Sequence, residues 1–396
     1  MFDEKDMDRT DALGQCFREI GGEMLPPSDL VKAAKAGVRL HRRVGTATHV
    51  RRFAGAVVSY AICVILLIGG VYLTSQLISG QKPVATKPPT TTTSNTTDIT
   101  DAENPASDFK CRLNGDGAVT ITKYIGTDPH VVIPAEIDNK PVTQIAAEAF
   151  AVSDIISVQM PDSITQIGGG AFYVCTNLTT VVLSPNVETI GANAFFGCIK
   201  LSDITLPESL KTLGESAFQM CKALTHISIP KSVTEWGSNA FRLSGLKTVE
   251  LEEGLEAIGQ SAFSATNLKE VVIPGSVKQI NRSAFSDCEQ LEKIVLNEGL
   301  ISIDILAFNA TNIREIVIPG TVESCSEFAF IQCDALQKVK FEGNAPTDFD
   351  NQDPVQESLY GQYLTSYTIC YREGAEGFTS PEWYGYPTEI WVENSK

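Results

Sequence analysis

Residues 201–218, Leu-Ser-Asp-Ile-Thr-Leu-Pro-Glu-Ser-Leu-Lys-Thr-Leu-Gly-Glu-Ser-Ala-Phe, decide how this chain folds. Ile204 and Leu206 alternate with polar neighbours, which marks a half-buried strand. Pro207 closes it, because proline has no N–H to continue a ladder. Leu210 and Leu213 make a second short apolar segment, and Gly214 then opens the motif Gly-x-x-Ala-Phe. The strand pattern returns at Leu224, Ile227 and Ile229, at Leu268, Val271 and Ile273, and at Ile313, Ile316 and Ile318.

The Ala-Phe dipeptide sets the period. It occurs at Phe150, Phe172, Phe195, Phe218, Phe241, Phe263, Phe285, Phe308 and Phe330, at intervals of 22 or 23 residues. Units this short cannot each enclose a core, so the spacing predicts a solenoid whose stacked coils share one. The small Ala allows close stacking and the Phe fills the core as an aromatic spine. Gly168, Gly191, Gly214, Gly237 and Gly259, with Asn281 and Asp304 in the same place, suit a tight or left-handed turn, whereas Ala146 and Ser326 depart from that rule. Five coils place a cysteine three residues after the Phe (Cys175, Cys198, Cys221, Cys288, Cys333) and run one residue longer to the next apolar position. These thiols are expected to point inward as small unpaired hydrophobes.

The repeated pattern Leu-x-x-Ile-x-Ile-Pro…Ile-Gly-x-x-Ala-Phe resembles the bacterial surface-antigen (BspA-like) leucine-rich repeat family over roughly residues 109–391. The resemblance implies a leucine-rich-repeat solenoid with short parallel β-strands and an irregular convex side. It also implies a place on the cell surface and protein or glycan ligands. Residues 109–345 would form the solenoid, begun by a capping hairpin with an Asn-Gly or Asp-Gly turn at 111–120. Residues 346–396 would close it with the strand Thr368–Tyr371 and an aromatic tail, Phe378, Trp383, Tyr384, Tyr386 and Trp391.

Upstream, Ala54 to Leu73 is uncharged and long enough to span a bilayer, so 53–78 reads as a transmembrane helix. Seven basic residues precede it closely and only Lys82 and Lys87 follow, which puts 1–52 in the cytoplasm and the repeats outside. A signal peptide would have a shorter charged region and a small-residue cleavage site soon after. Residues 79–108, rich in Thr and Pro, read as a spacer with no core of its own. The expected localisation is therefore the cell membrane, single-pass.

Net charge is −17 overall, with +2 on residues 1–52 and −19 on 82–396. An acidic outer part argues against nucleic-acid partners. No phosphate loop, His-Glu-x-x-His or Gly-x-Ser-x-Gly occurs, so the chain is expected to be no enzyme and to need no cofactor or metal. Asp348, Asp350 and Asp353 lack the glycine and final Glu of a calcium loop.

Strand side chains alternate, so inward Ile204 and Leu206 leave Asp203 and Thr205 outward. Following that row gives the candidate ligand-binding residues Asp203, His226, Ser228, Thr248, Glu250, Glu270, Lys293 and Glu315. Two roles stay open. One is a membrane-anchored surface module binding an extracellular protein or glycan. The other is a single-pass sensor whose repeats signal to a cytoplasmic partner of residues 1–52.

Overall fold

The computed structural model describes residues 102–349 and 366–392, all within one compact unit spanning Thr97–Lys396. The expected tail, transmembrane helix, most of the spacer, and Asp350 and Asp353 lie outside the described residues. Among the described residues, no helix is long and apolar enough to cross a membrane.

The chain winds through about eleven turns of a parallel β-solenoid. Each coil gives one strand to a first ladder: His130–Val132, Ser157–Gln159, Thr180–Val182, Asp203–Ile204, His226–Ile229, Thr248–Leu251, Glu270–Ile273, Lys293–Leu296, Glu315–Ile318 and Lys338–Phe341. Its neighbours pair in parallel and in register, Ile227 beside Val249 and Val271 beside Ile294. Each coil also gives a two-residue strand to a second ladder, such as Thr189–Ile190 beside Thr212–Leu213. Both ladders turn their apolar residues into one continuous core.

The Ala-Phe pairs form a third column. All nine pairs are at most 1% exposed. Successive rings stack with centroids 4.9–5.9 Å apart and planes within 19° of parallel, inside the range that favours aromatic pairs. The backbone is tied likewise: Phe172 N–H donates to the Ala194 carbonyl at 2.7 Å and Phe195 N–H to Ala217 at 2.8 Å. From Phe150 to Phe308, residues two before and two after the Phe donate forward in the same way, as Ser216 does to Ser238 and Met220 to Arg242. Those flanking residues have positive φ, for example Asn193, Ser216 and Asn239 before the Phe and Val152, Val174 and Met220 after it.

This corrects the reading of the glycines. Gly168, Gly191, Gly214, Gly237 and Gly259 are not among the positive-φ residues; the left-handed residue comes two positions later. Glycine stands there because coils approach closely. A Cβ on Gly168 would meet Ala147 N at 2.5 Å, and one on Gly191 would meet Gly169 N at 2.6 Å. The Ala146 coil turns like the others, through Glu148 at φ 58°. The Ser326 coil does differ, replacing the turn with a short 3-10 helix, Glu327–Phe330.

Both ends of the core are covered. Phe109–Leu113 pairs antiparallel with Val119–Tyr124, which joins Lys140–Ile145 of the second ladder in parallel. Tyr124 stacks on Phe150 at 5.3 Å and extends the spine. At the other end Thr368–Tyr371 and Tyr386–Ile390 continue the first ladder. Trp383 and Tyr386 are buried there against Phe349. Tyr384 stays 53% exposed while its ring lies 4.8 Å from that of Trp383.

Candidate functional site

Eight outward positions were expected to share one face, and the first ladder brings them there. Asp203 sits beside Thr180, His226 beside Thr248, Ser228 beside Glu250, Glu270 beside Lys293, and Glu315 beside Lys338. Register follows from the inward Ile and Val on each strand, because a one-residue slip would turn the apolar set outward. The row is interrupted, however. The ladder pairs within the coils from His130 to Ile204, His226 to Leu251, Glu270 to Leu296, and Glu315 onward, with no strand pairing between those groups.

Charges on this face divide unevenly. Glu270 is paired with Lys293, Glu315 with Lys340, and Lys338 with Glu389. The hydrogen bond from Lys338 holds the Glu389 carboxyl below its ordinary range. Lys340 and Arg372 also lie over the Trp391 ring, at 5.2 and 4.7 Å from its centre. The middle coils differ. His226 Nδ1 meets Thr248 Oγ1 at 2.8 Å, while Glu250 and Asp203 have no ion-pair partner among the described residues. Val182 and Val272 project from the same face, 44% and 49% exposed.

The thiols point inward, as expected. Cys175, Cys198, Cys221, Cys288 and Cys333 are buried and free. Each donates to the Phe carbonyl of the preceding coil, at 3.0–3.2 Å. Burial pushes all five up, Cys288 to about 11. They are structural acceptor caps, inert as nucleophiles. Asp348 accepts the Ser324 hydroxyl at 2.6 Å and the Cys325 N–H at 3.0 Å, so its carboxylate fastens the last coil.

One feature escaped the sequence reading. The inward position of the second ladder is Ile145, Ile167, Ile190 and Leu213, then Trp236, then Ile258, Ile280, Ile303 and Cys325. Strands pair up to Glu235–Trp236 and again from Ala257–Ile258, with no pairing across that step. A cleft of about 360 Å³ opens there, between the Trp236 coil and the three that follow. The available signal was a lone tryptophan in an aliphatic column.

The model of the BspA type leucine rich repeat region matches residues 143–269 and 256–351, more than half the chain. The chain belongs to that family. A leucine-rich repeat protein from Bacteroides ovatus shares the fold of this BspA-type chain at 24% identity and TM-score 0.56, covering 68% of this chain and 71% of that one. The T. pallidum leucine-rich repeat protein is 27% identical over 59% of this chain and 91% of its own, with TM-score 0.42. A leucine rich cell surface protein from Faecalibacterium prausnitzii is 22% identical over 69% and 89%, with TM-score 0.45. No curated protein matches the chain.

Proposed function

We propose that this BspA-type repeat protein is a membrane-anchored module of the cell surface that binds an extracellular protein or glycan through the first-ladder face. The observation that carries this reading is the contrast along that face. Toward the C-terminal end Glu270, Glu315 and Glu389 are neutralised by neighbouring lysines. The middle coils leave Glu250 without an ion-pair partner among the described residues, with exposed Val272 on the next coil and His226 and Thr248 on adjacent rungs. Unpaired charge beside exposed apolar area is what a partner would complement. The uncharged stretch Ala54 to Leu73, with basic residues before it, supports anchoring with the repeats outside.

Cells displaying the full chain, probed against arrays of matrix proteins and glycans, test the reading. Glu250→Lys should reduce retention on whichever array element binds, with the melting temperature unchanged. Retention that survives Glu250→Lys and Asp203→Lys, yet fails when Tyr384 is replaced by Ser, would move the contact to the aromatic tail.

A further inference from the structure

The cleft at Trp236 lies on the second ladder, so an inference from it stands or falls apart from the first-ladder reading. Three observations single it out. Trp236 occupies a column whose other members are at most 2% exposed, yet it remains only half-buried. Its ring meets the core edge-on at Phe263, 6.1 Å between centres. Its Nε1–H is shielded from solvent and has no hydrogen-bond partner. A buried donor left unmatched costs about 1–3 kcal/mol, which marks this coil as locally strained. Gly259 makes room for the tryptophan itself: a Cβ there would sit 2.7 Å from the Trp236 Cβ.

The lining sets the chemistry. Arg282 and Asp304 balance one charge against another, and Thr234, Gln260 and Asn281 add neutral donors and acceptors. A strongly charged ligand would leave one of that pair opposed, and a purely apolar one would strand the amides and hydroxyls. Asn281 Nδ2 donates to the Ile258 carbonyl at 2.8 Å, which turns its other amide atom free for a ligand. Asp304 uses one oxygen for the Ile305 N–H at 2.6 Å and keeps the second. The half-buried indole wants an apolar face, and the rim wants hydroxyls. A pyranose ring presents both, with axial C–H groups on one face and hydroxyls around its edge. The volume lies within the roughly 300–1,000 Å³ of small-ligand sites.

We propose that this break in the second ladder is a sugar-binding cleft: one neutral hexose unit stacks on Trp236 and donates hydroxyls to Asp304.

The test titrates the full chain, held in the zwitterionic detergent dodecylphosphocholine so that no sugar headgroup competes. Probes are glucose, galactose, mannose, N-acetylglucosamine, lactose and cellobiose, followed by tryptophan emission. At least one should give saturable change with Kd near 1 mM, ordinary for a site of this size. Trp236→Ile, which restores the aliphatic column, should abolish that change at a retained melting temperature. Asp304→Asn, which keeps the acceptor for Ile305 N–H, should weaken it about tenfold. No saturable change with any probe up to about 100 mM overturns the proposal. So does a Trp236→Ile chain that still binds, measured by calorimetry. Should Trp236→Ile not fold, unaltered affinity in Asp304→Asn overturns it alone. Lost binding in Glu250→Lys with both cleft variants intact would assign the sugar to the first ladder instead.

Discussion

The rings of Phe195 and Phe218 stack 5.1 Å apart and 9° from parallel, while Phe195 N–H donates to the carbonyl of Ala217. Side chain and backbone thus bind the same two coils at one place. Phe218→Ala should cost about 3–5 kcal/mol, the range for a buried aromatic. Because coils rest only on their neighbours, hydrogen exchange should quicken first in the two flanking coils. Urea unfolding supplies the magnitude; a loss under about 1 kcal/mol would deny the spine its role.

Gly191 makes the opposite kind of demand. A methyl group there would press on Gly169 N and on the Gly168 carbonyl carbon, both within 2.8 Å. Gly191→Ala should destabilise by about 1–3 kcal/mol through forced separation of coils. Gly115, whose Cβ would meet nothing within 4 Å, is the control, and Gly115→Ala should change the urea midpoint little.

Val152 holds φ at 58° although its side chain is 71% exposed. A β-branched residue is strained in that region, and this one gains little packing in return. Val152→Asn should raise stability by about 0.5–1 kcal/mol, readable as a higher thermal midpoint.

These cases show what could be seen in the sequence and what could not. Ile204 and Leu206 betrayed the first ladder because two inward residues on one strand are enough to display a period of two. With that period came the outward row, Asp203 through Glu315, in the register the strands adopt. Thr212–Leu213 offers only two residues, too few for alternation, so the second ladder was hidden inside an apparently irregular stretch. Gly214 signalled a special position but not its cause, since a left-handed turn and a close approach both select glycine. The cleft depends on which strands fail to pair through space, and no local pattern around Trp236 carries that information.

The buried thiols give stability a pH limit. Burial favours the neutral form, raising Cys288 from an ordinary 9.0 to about 11. The unfolded chain therefore loses this proton first as pH climbs. The contribution is complete below pH 9 and is lost between there and about pH 11. Across that window the stability gap between wild type and Cys288→Ala should shrink by up to about 1.4 kcal/mol per pH unit. Urea titrations at stepped pH measure it; a constant gap would mean Cys288 ionises alike in both states.

Anchoring has its own check. Protease added to intact cells should remove the repeats while residues 1–52 stay protected with the membrane. Release of a soluble protein with a new N-terminus soon after Leu73 would instead identify a cleaved signal.

The forward-pointing N–H groups beside the Ala-Phe pairs give this one column a sense of direction, as in a helix. Tyr124 N–H feeds Ala149, and the dipoles then align coil after coil. Partial negative charge gathers at the first carbonyls and partial positive charge at the last amides. There the Glu327 amide finds the Phe349 carbonyl at 3.1 Å, beside the buried acid of Glu327 itself. Along this column two stacks cannot meet tail to tail, since donors would confront donors. This column can be extended only head to tail, in the order in which the chain already counts its coils.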